Sequence, residues 1–301
     1  MISSKAILLM AYGSPETLED VKSYYTDVRR GNPPDDFLLD QLKKRYIAVG
    51  GKTPLLSLTL KQAGLLQKKI GIKTYVGMKH WHPYIKETVD KMIKDGVREI
   101  VGLVLAPHYS VMSIADYEKR LSNALSCYKI DIKTTFIKHW GNNKIFIDSI
   151  CERVKQSLSE FPVSDFGSVI VVFTAHSLPK KIIHSGDPYK KELEETCDLV
   201  VKKLGIPHFR FAFQSAGKTR DEWLGPDILQ ELYDLSKTKY KQILIVPIGF
   251  TTDNLEILYD LDIQALHEAK KLNLNLKRIS SANTTVRFIQ ALEDVVCPFL
   301  S

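Results

Sequence analysis

The sequence predicts an α/β fold made of two similar halves, each a four-stranded parallel sheet flanked by helices, with a cleft between them. Three observations carry that expectation. Eight short apolar runs recur along the 301 residues. Several are continuously hydrophobic and do not alternate, which is how parallel strands covered on both faces read. Longer segments of helical periodicity separate them, and strand–helix alternation at this spacing builds right-handed βαβ units.

In chain order the apolar runs are 6–11, 74–78, 100–105, 133–137, 169–173, 209–213, 243–248 and 274–279. Helical patterns lie between them, at 57–69, 86–94, 115–126, 145–161, 190–203 and 256–271. Four runs precede residue 142 and four follow it. This divides the chain into a first domain at 1–141 and a second at 142–282, joined at Trp140-Gly141-Asn142-Asn143. Residues 283–301 hold a last helix, roughly 285–297, expected to pack back on the first domain.

Hydrophobic residues make up 44% of the chain and charged residues 26%, the profile of a soluble globular protein. The net charge of +7 favours anionic partners, including a carboxylate- or phosphate-bearing substrate. That charge is spread out, and its densest spots, Lys43-Lys44-Arg45 and Lys202-Lys203, are short. With no basic tail, zinc-finger or RNA-recognition signature, nucleic acid is not an expected partner. The four cysteines, Cys127, Cys151, Cys197 and Cys297, form no CxxC pair. Neither a structural zinc nor an iron–sulfur cluster is expected from that spacing. The thiols read as reduced and mostly buried, in a cytoplasmic protein. The apolar run at 6–11 is too short for a signal core or a membrane span, so any membrane contact is expected to be peripheral. There is no GxGxxG, Walker or GxSxG motif.

Strand one ends in "LLMAYGSP" (8–15) and strand five in "VVFTAHSLP" (171–179), which puts Tyr12 and His176 in matching places. In open α/β sheets ligands bind beyond the carboxyl ends of the strands, so both residues are expected at the cleft. Taken alone, His176 reads equally as a hydrogen-bonded structural histidine and as an imidazole offered to a metal or a proton. In "GFTTDNLEILYDLDIQ" (249–264), Thr251, Thr252 or Asp253 is placed to cap a helix. Glu256, Asp260 and Gln264 then recur every fourth residue, stacking along one face unless a π-type turn intervenes. Such a stripe is usually a solvated face; here it starts at the carboxyl end of a buried strand, where it suits a cation or a proton path. Arg29 and Arg30 in "YYTDVRRG", with Arg45-Tyr46, suit a carboxylate or phosphate, since guanidinium forks bind both bidentately. His80, His82 and His108 each follow a strand, and a structural or supporting role is favoured for each.

With these residues in hand, the chain resembles the ferrochelatases, in motifs that run in the same order over essentially its whole length. They are "LLMAYGSP", "YYTDVRRG", "GGKTPL", "LAPHYS", "TAHSLP", "GDPY", "QSAG", "WLGP" and "PIGFTTDNLEILYD". It is most similar to the compact bacterial form, which lacks the C-terminal extension and cluster cysteines of animal enzymes. The resemblance implies two Rossmann-like domains around a porphyrin cleft and a cytoplasmic, monomeric lyase that inserts ferrous iron during haem biosynthesis. It implies porphyrin and Fe2+ as substrates, with no permanently bound cofactor. It places the catalytic, metal-handling pair on His176 and Glu256, and porphyrin contacts on Tyr12, Arg29, Arg45, Tyr46, Thr53 and Tyr117. His80 is a further candidate, and Asp260 and Gln264 form a proton or outer-metal path. Thr53 stands where a serine is usual, which keeps the hydroxyl. Asn254 replaces a common histidine, and Gln264 replaces a frequent carboxylate. The compact form with Tyr12 leans toward coproporphyrin III over protoporphyrin IX. Two other readings compete. A sirohydrochlorin cobalt or iron chelatase would need a richer arginine lining. A non-catalytic haem or porphyrin carrier would need no His–Glu pair.

Overall fold

Both sheets of the computed structural model, which describes residues 4–162, 166–217, 219 and 221–300, are wholly parallel and share one strand order. In the first half β1 (Lys5–Ala11), β2 (Thr74–Met78), β3 (Glu99–Val104) and β4 (Lys133–Ile137) run in the order β2-β1-β3-β4. In the second half β5 (Val169–His176), β6 (Phe209–Gln214), β7 (Gln242–Pro247) and β8 (Asn275–Arg278) repeat it as β6-β5-β7-β8. The chain therefore reverses the growth of each sheet after its second strand. That opens a crevice beside the carboxyl ends of β1 and β5, where Tyr12 and His176 lie.

Alternation along the central strands explains why they lack alternating hydrophobicity. Ile7, Leu9 and Ala11 of β1 face a core cluster shared with Val171, Phe173 and Ala175 of β5. Ala6, Leu8 and Met10 face the opposite way, onto α4 (Ile85–Lys94) and α5 (Ile114–Leu125). Ile170 and Val172 of β5 likewise turn outward onto α9 (Ile228–Ser236) and a π-helix (Glu256–Ala265). Both faces of β1 and β5 are dry, and each fully buried large side chain stabilises by about 1.5–3 kcal/mol.

The remaining helices are α1 (Val21–Val28), α2 (Asp36–Ala48), α3 (Leu55–Ile70), α6 (Lys144–Leu158), α7 (Lys181–His184), α8 (Tyr189–Leu204), α10 (Leu266–Lys271) and α11 (Val286–Val296). The stretch expected as one helix at 256–271 is the π-helix running directly into α10. β5 extends three residues beyond its apolar run, so His176 is its last residue and not part of the loop. Two cysteines are buried, Cys151 and Cys197, and two are exposed, Cys127 and Cys297. The expectation of mostly buried thiols holds only for the pair on the inward faces of α6 and α8.

The joint after β4 is packed tightly. Trp140 is buried, donates from its indole to the Val104 carbonyl at 3.0 Å, and stacks against Phe146 with ring centroids 4.9 Å apart. Asn143 caps α6 by accepting from the Ile145 and Phe146 amides. α11 crosses over this joint, packing on α6 and on α3 of the first half. Buried hydrogen bonds also cross between the halves. Thr251 donates to the Leu105 carbonyl at 2.8 Å, and the Gln62 amide donates to Thr252 and to the Asn283 carbonyl. Phe288 of α11, fully buried against Trp140 and Phe146, is the apolar keystone of this region. Phe288→Ala is expected to cost about 3–5 kcal/mol, read as a lower urea midpoint at unchanged slope.

Candidate functional site

His176 sits at the tip of β5 opposite Gln214, the last residue of β6. The Ser177 amide donates to the Gln214 carbonyl at 2.7 Å, and the Ser177 hydroxyl donates to the Leu224 carbonyl at 2.7 Å. Tyr189 holds the His176 carbonyl from behind with a 2.9 Å hydrogen bond. The turn is thus fully paired before Pro179 breaks the strand. His176 Nδ1 lies 2.5 Å from the Ser177 carbonyl. A carbonyl can only accept, so Nδ1 carries the proton and Nε2 is left as a lone pair. His176 is half-buried and lines the main cavity.

Glu256 reaches the same cavity by way of Gly249. A Cβ at Gly249 would fall 2.9 Å from Ala175 Cβ and 3.2 Å from its Cα. Only glycine lets the chain leaving β7 lie against the end of β5. The residues expected to cap the following helix do other work. Thr251 and Thr252 make the cross-half bonds described above, and Asp253 accepts from Ser281 at 2.6 Å and Asn283 at 2.8 Å. Asn254 is the cap, its side-chain oxygen accepting from the Ile257 amide at 2.9 Å. Arg278 ties Asp253 to Asp262, which it grips bidentately at 2.5 and 2.7 Å.

In a π-helix a step of four residues falls short of a full turn, whereas in an α-helix it overshoots one. Glu256 faces the main cavity, while Asp260 and Gln264 line a separate groove of about 580 Å³. Asp260 is buried, paired with Arg45 and hydrogen-bonded by Ser215. Gln264 is exposed. The three-rung stripe is therefore split between two compartments, and its middle rung already has a cation.

The main cavity, about 560 Å³, is lined from both halves. Tyr12, Tyr24, Tyr46 and Tyr117 supply flat, hydroxyl-tipped walls. Burial pushes the phenols of Tyr24, Tyr46 and Tyr117 above their ordinary value, and crowding by the surrounding protein, with the Glu256 carboxylate, raises that of Tyr12, whose side chain stays open to solvent. Thr53 does not line either space. It is buried, and its hydroxyl donates to Ser14 at 2.8 Å, with Ser14 in turn 3.2 Å from the Tyr46 hydroxyl. The paired arginines diverge. α1 ends at Val28 and Arg30 takes a left-handed φ of 58°, a common helix stop that swings adjacent side chains apart. Arg30 lines the cavity; Arg29 lines the groove with Arg45, whose guanidinium lies 4.7 Å over the Tyr259 ring.

His80 lines the cavity with its ring 4.5 Å from that of Tyr12, and Asp27 sits 2.7 Å from its Nδ1. Burial lowers its pKa. His82 points outward and pairs with Glu87. Beside His80, the buried Lys79 pairs with Asp116 at 2.8 Å, under the ring of Tyr117, and Arg120 donates to the Lys79 carbonyl. Burial lowers the pKa of Lys79 as well. Lys79, Asp27, Asp116 and Arg120 were not singled out in the sequence. Only the polar run "KHWHP" after a buried strand signalled Lys79.

His108, 3% exposed, donates from Nε2 to Thr196 at 2.8 Å, and the Thr196 hydroxyl bonds the Gly141 carbonyl. A Cβ at Gly141 would lie 2.7 Å from the His108 ring, so the ring is clamped at the joint between the halves. Burial, with a contribution from His139, lowers the His108 pKa from 6.5 to about 3.

Residues 4–299 match the ferrochelatase family model. A ferrochelatase of Herpetosiphon aurantiacus is 40% identical, across 98% of this chain and 99% of its own. One from Thermus thermophilus is 39% identical, across 96% and 98%. A coproporphyrin III ferrochelatase of Oceanobacillus iheyensis is 38% identical, across 96% and 95%. Among solved structures, SirB from Bacillus subtilis with Fe3+ superposes with a TM-score of 0.65 at 14% identity, covering 97% of this chain and 94% of its own. That match speaks to the fold.

A histidine kept neutral by burial makes stability depend on pH in a definite direction. Below pH 6.5 the unfolded chain takes up a proton that folded His108 refuses until about pH 3. Stability is therefore full above pH 6.5 and falls as pH drops, by at most about 1.4 kcal/mol per pH unit for this group. His108→Gln, which keeps a donor toward Thr196, is expected to flatten the fall in urea midpoint between pH 7 and 5.

Proposed function

The chain belongs to the ferrochelatase family and inserts ferrous iron into a porphyrin, and we propose that His176 and Glu256 handle the iron and that coproporphyrin III is the porphyrin. The observation that carries the reading is His176, whose Nδ1 is spent on the Ser177 carbonyl, lining the same cavity as Glu256. An imidazole and a carboxylate suit ferrous iron, a borderline cation, while leaving most positions open for transfer. The same two groups are bases, so the pyrrole protons pass to this pair, to Glu256 while His176 holds the metal.

The tyrosine walls fit a flat macrocycle, and Tyr12 approaches from the half opposite His176. A porphyrin is stiff and planar, and its nitrogens open to a metal only when the ring bends. Binding energy from its carboxylates and its edges, remote from the reacting centre, supplies that distortion. Arg29, Arg30 and Arg45 are the carboxylate anchors, with Tyr46 beside them. Arg45 exchanges Asp260 for a porphyrin carboxylate, one anionic partner for another. Asp260, once released, continues the proton path toward Gln264 through the groove. Thr53 acts behind the site, by orienting Ser14 and Tyr46.

Coproporphyrin III is supported by relatives bearing that name at 36–38% identity, such as those of Oceanobacillus iheyensis and Listeria innocua. It is also supported by arginines in both spaces, since this substrate carries four carboxylates. The reading includes a monomeric enzyme in the cytoplasm that needs no resident cofactor, only porphyrin and Fe2+.

Anaerobic metallation of coproporphyrin III and protoporphyrin IX, followed by absorbance, tests the substrate assignment. Higher kcat/KM on protoporphyrin IX would overturn it. His176→Ala is expected to lower metal insertion by about 10²–10⁴-fold with the thermal midpoint within a few degrees of wild type. Wild-type turnover in that variant would sink the assigned pair. Gly249→Ala forces the Glu256 segment off the end of β5. It is expected to reduce kcat by about tenfold or more, because ångström displacements in a site cost up to about 10²-fold. Porphyrin affinity, read by fluorescence quenching, should be largely retained.

A further inference from the structure

Gln214 occupies the place where the two candidate iron-handling residues meet. It is fully buried, at the tip of β6. On one side it is the strand partner of His176, and its carbonyl accepts from the Ser177 amide at 2.7 Å. On the other, its side-chain amide donates a long hydrogen bond, 3.4 Å, to the Glu256 carbonyl. Among the described residues its Oε1 has no partner. The next residue, Ser215, is held at a left-handed φ of 62°, a conformation a serine seldom adopts unless its surroundings impose it. Ser215 donates to Asp260, four residues beyond Glu256 in the π-helix. The tip of β6 therefore grips the π-helix at two successive points while holding the turn that aims His176.

A residue buried only for packing would be apolar here, because an unpaired buried carbonyl oxygen is destabilising. We propose that Gln214 is a positioning residue that sets the spacing between His176 and Glu256, and through that spacing the choice of metal. The proposal rests on the reading that this pair handles the iron. An amide does this where an apolar side chain cannot, since it fixes the π-helix by a directed bond to the Glu256 carbonyl. The same residue lines the groove beyond.

The test compares Gln214→Met, similar in length and without the amide, and Gln214→Glu, which keeps the side-chain oxygen and replaces the NH2 donor by a second oxygen. Each is assayed with Fe2+ and with Zn2+ on one porphyrin. Both variants are expected to raise the KM for metal about tenfold and to change the zinc-to-iron turnover ratio at least about threefold, with porphyrin affinity unchanged. Loss of folded protein alone lowers both turnovers together and leaves the ratio fixed. A wild-type ratio and metal KM in either variant that folds overturns the proposal. Glu256→Gln is run alongside. If it is inactive while the Gln214 variants behave as wild type, only the positioning role fails; if it keeps full turnover, the assigned pair itself fails.

Discussion

The contact between Gly249 and Ala175 is the constraint on which the site depends. Two parallel strands that end side by side normally send their following loops apart, because Cβ atoms keep the backbones separated. Here one residue has no side chain, and the loop after β7 lies on the end of β5. That single approach brings an imidazole on one strand and a carboxylate on the next segment into one cavity. Everything near it reinforces the approach. Asn254 caps the π-helix, Arg278 fastens Asp253 to Asp262, and Gln214 and Ser215 hold the helix from the other side.

The walls of the cleft are fixed by a different kind of force. Thr251, Gln62 and His108 make buried hydrogen bonds between the halves, each too deep for water to replace at little cost. Such bonds make the joint specific: one relative placement of the sheets satisfies them and a sliding motion does not. The groove side is held by charge, through Arg45, Asp260 and Ser215. A charge pair can trade partners with an incoming carboxylate, which a buried amide cannot do. The fold thus keeps its rigid contacts behind the cavity and its exchangeable ones at the groove.

How much of this the sequence disclosed follows from which forces are local. The central strands were legible to within a few residues because strands dry on both faces must be continuously apolar, and the more exposed edge strands β4, β6 and β8 were placed by the strand–helix spacing. His176 and Tyr12 were legible as matched strand ends for the same reason. The π-helix was not, since the groups that hold it, Arg278 and Gln214 among them, are distant in sequence. Thr251, Thr252 and Asp253 looked like caps because their side chains suit caps; tertiary partners claimed all three, and Asn254 took the role. Arg29 and Arg30 looked like one unit, and only the left-handed turn at Arg30 separates them. α1 and α2 carry weak signals because their buried stripes are narrow, with only Tyr46 buried along α2, and α9 because it is only nine residues long.

The hydrogen bond from His176 Nδ1 to the Ser177 carbonyl has a consequence for the order of events. It spends one ring nitrogen on the backbone, so the imidazole has a single vacancy to offer, at Nε2. A metal ion and a proton are rivals for it. While iron sits there the ring is no base, and once protonated it is no ligand. If His176 serves both duties as proposed, they fall to it only in succession, and a proton leaving the porphyrin while iron is held there goes to Glu256. A turn of backbone thereby writes a sequence into the chemistry.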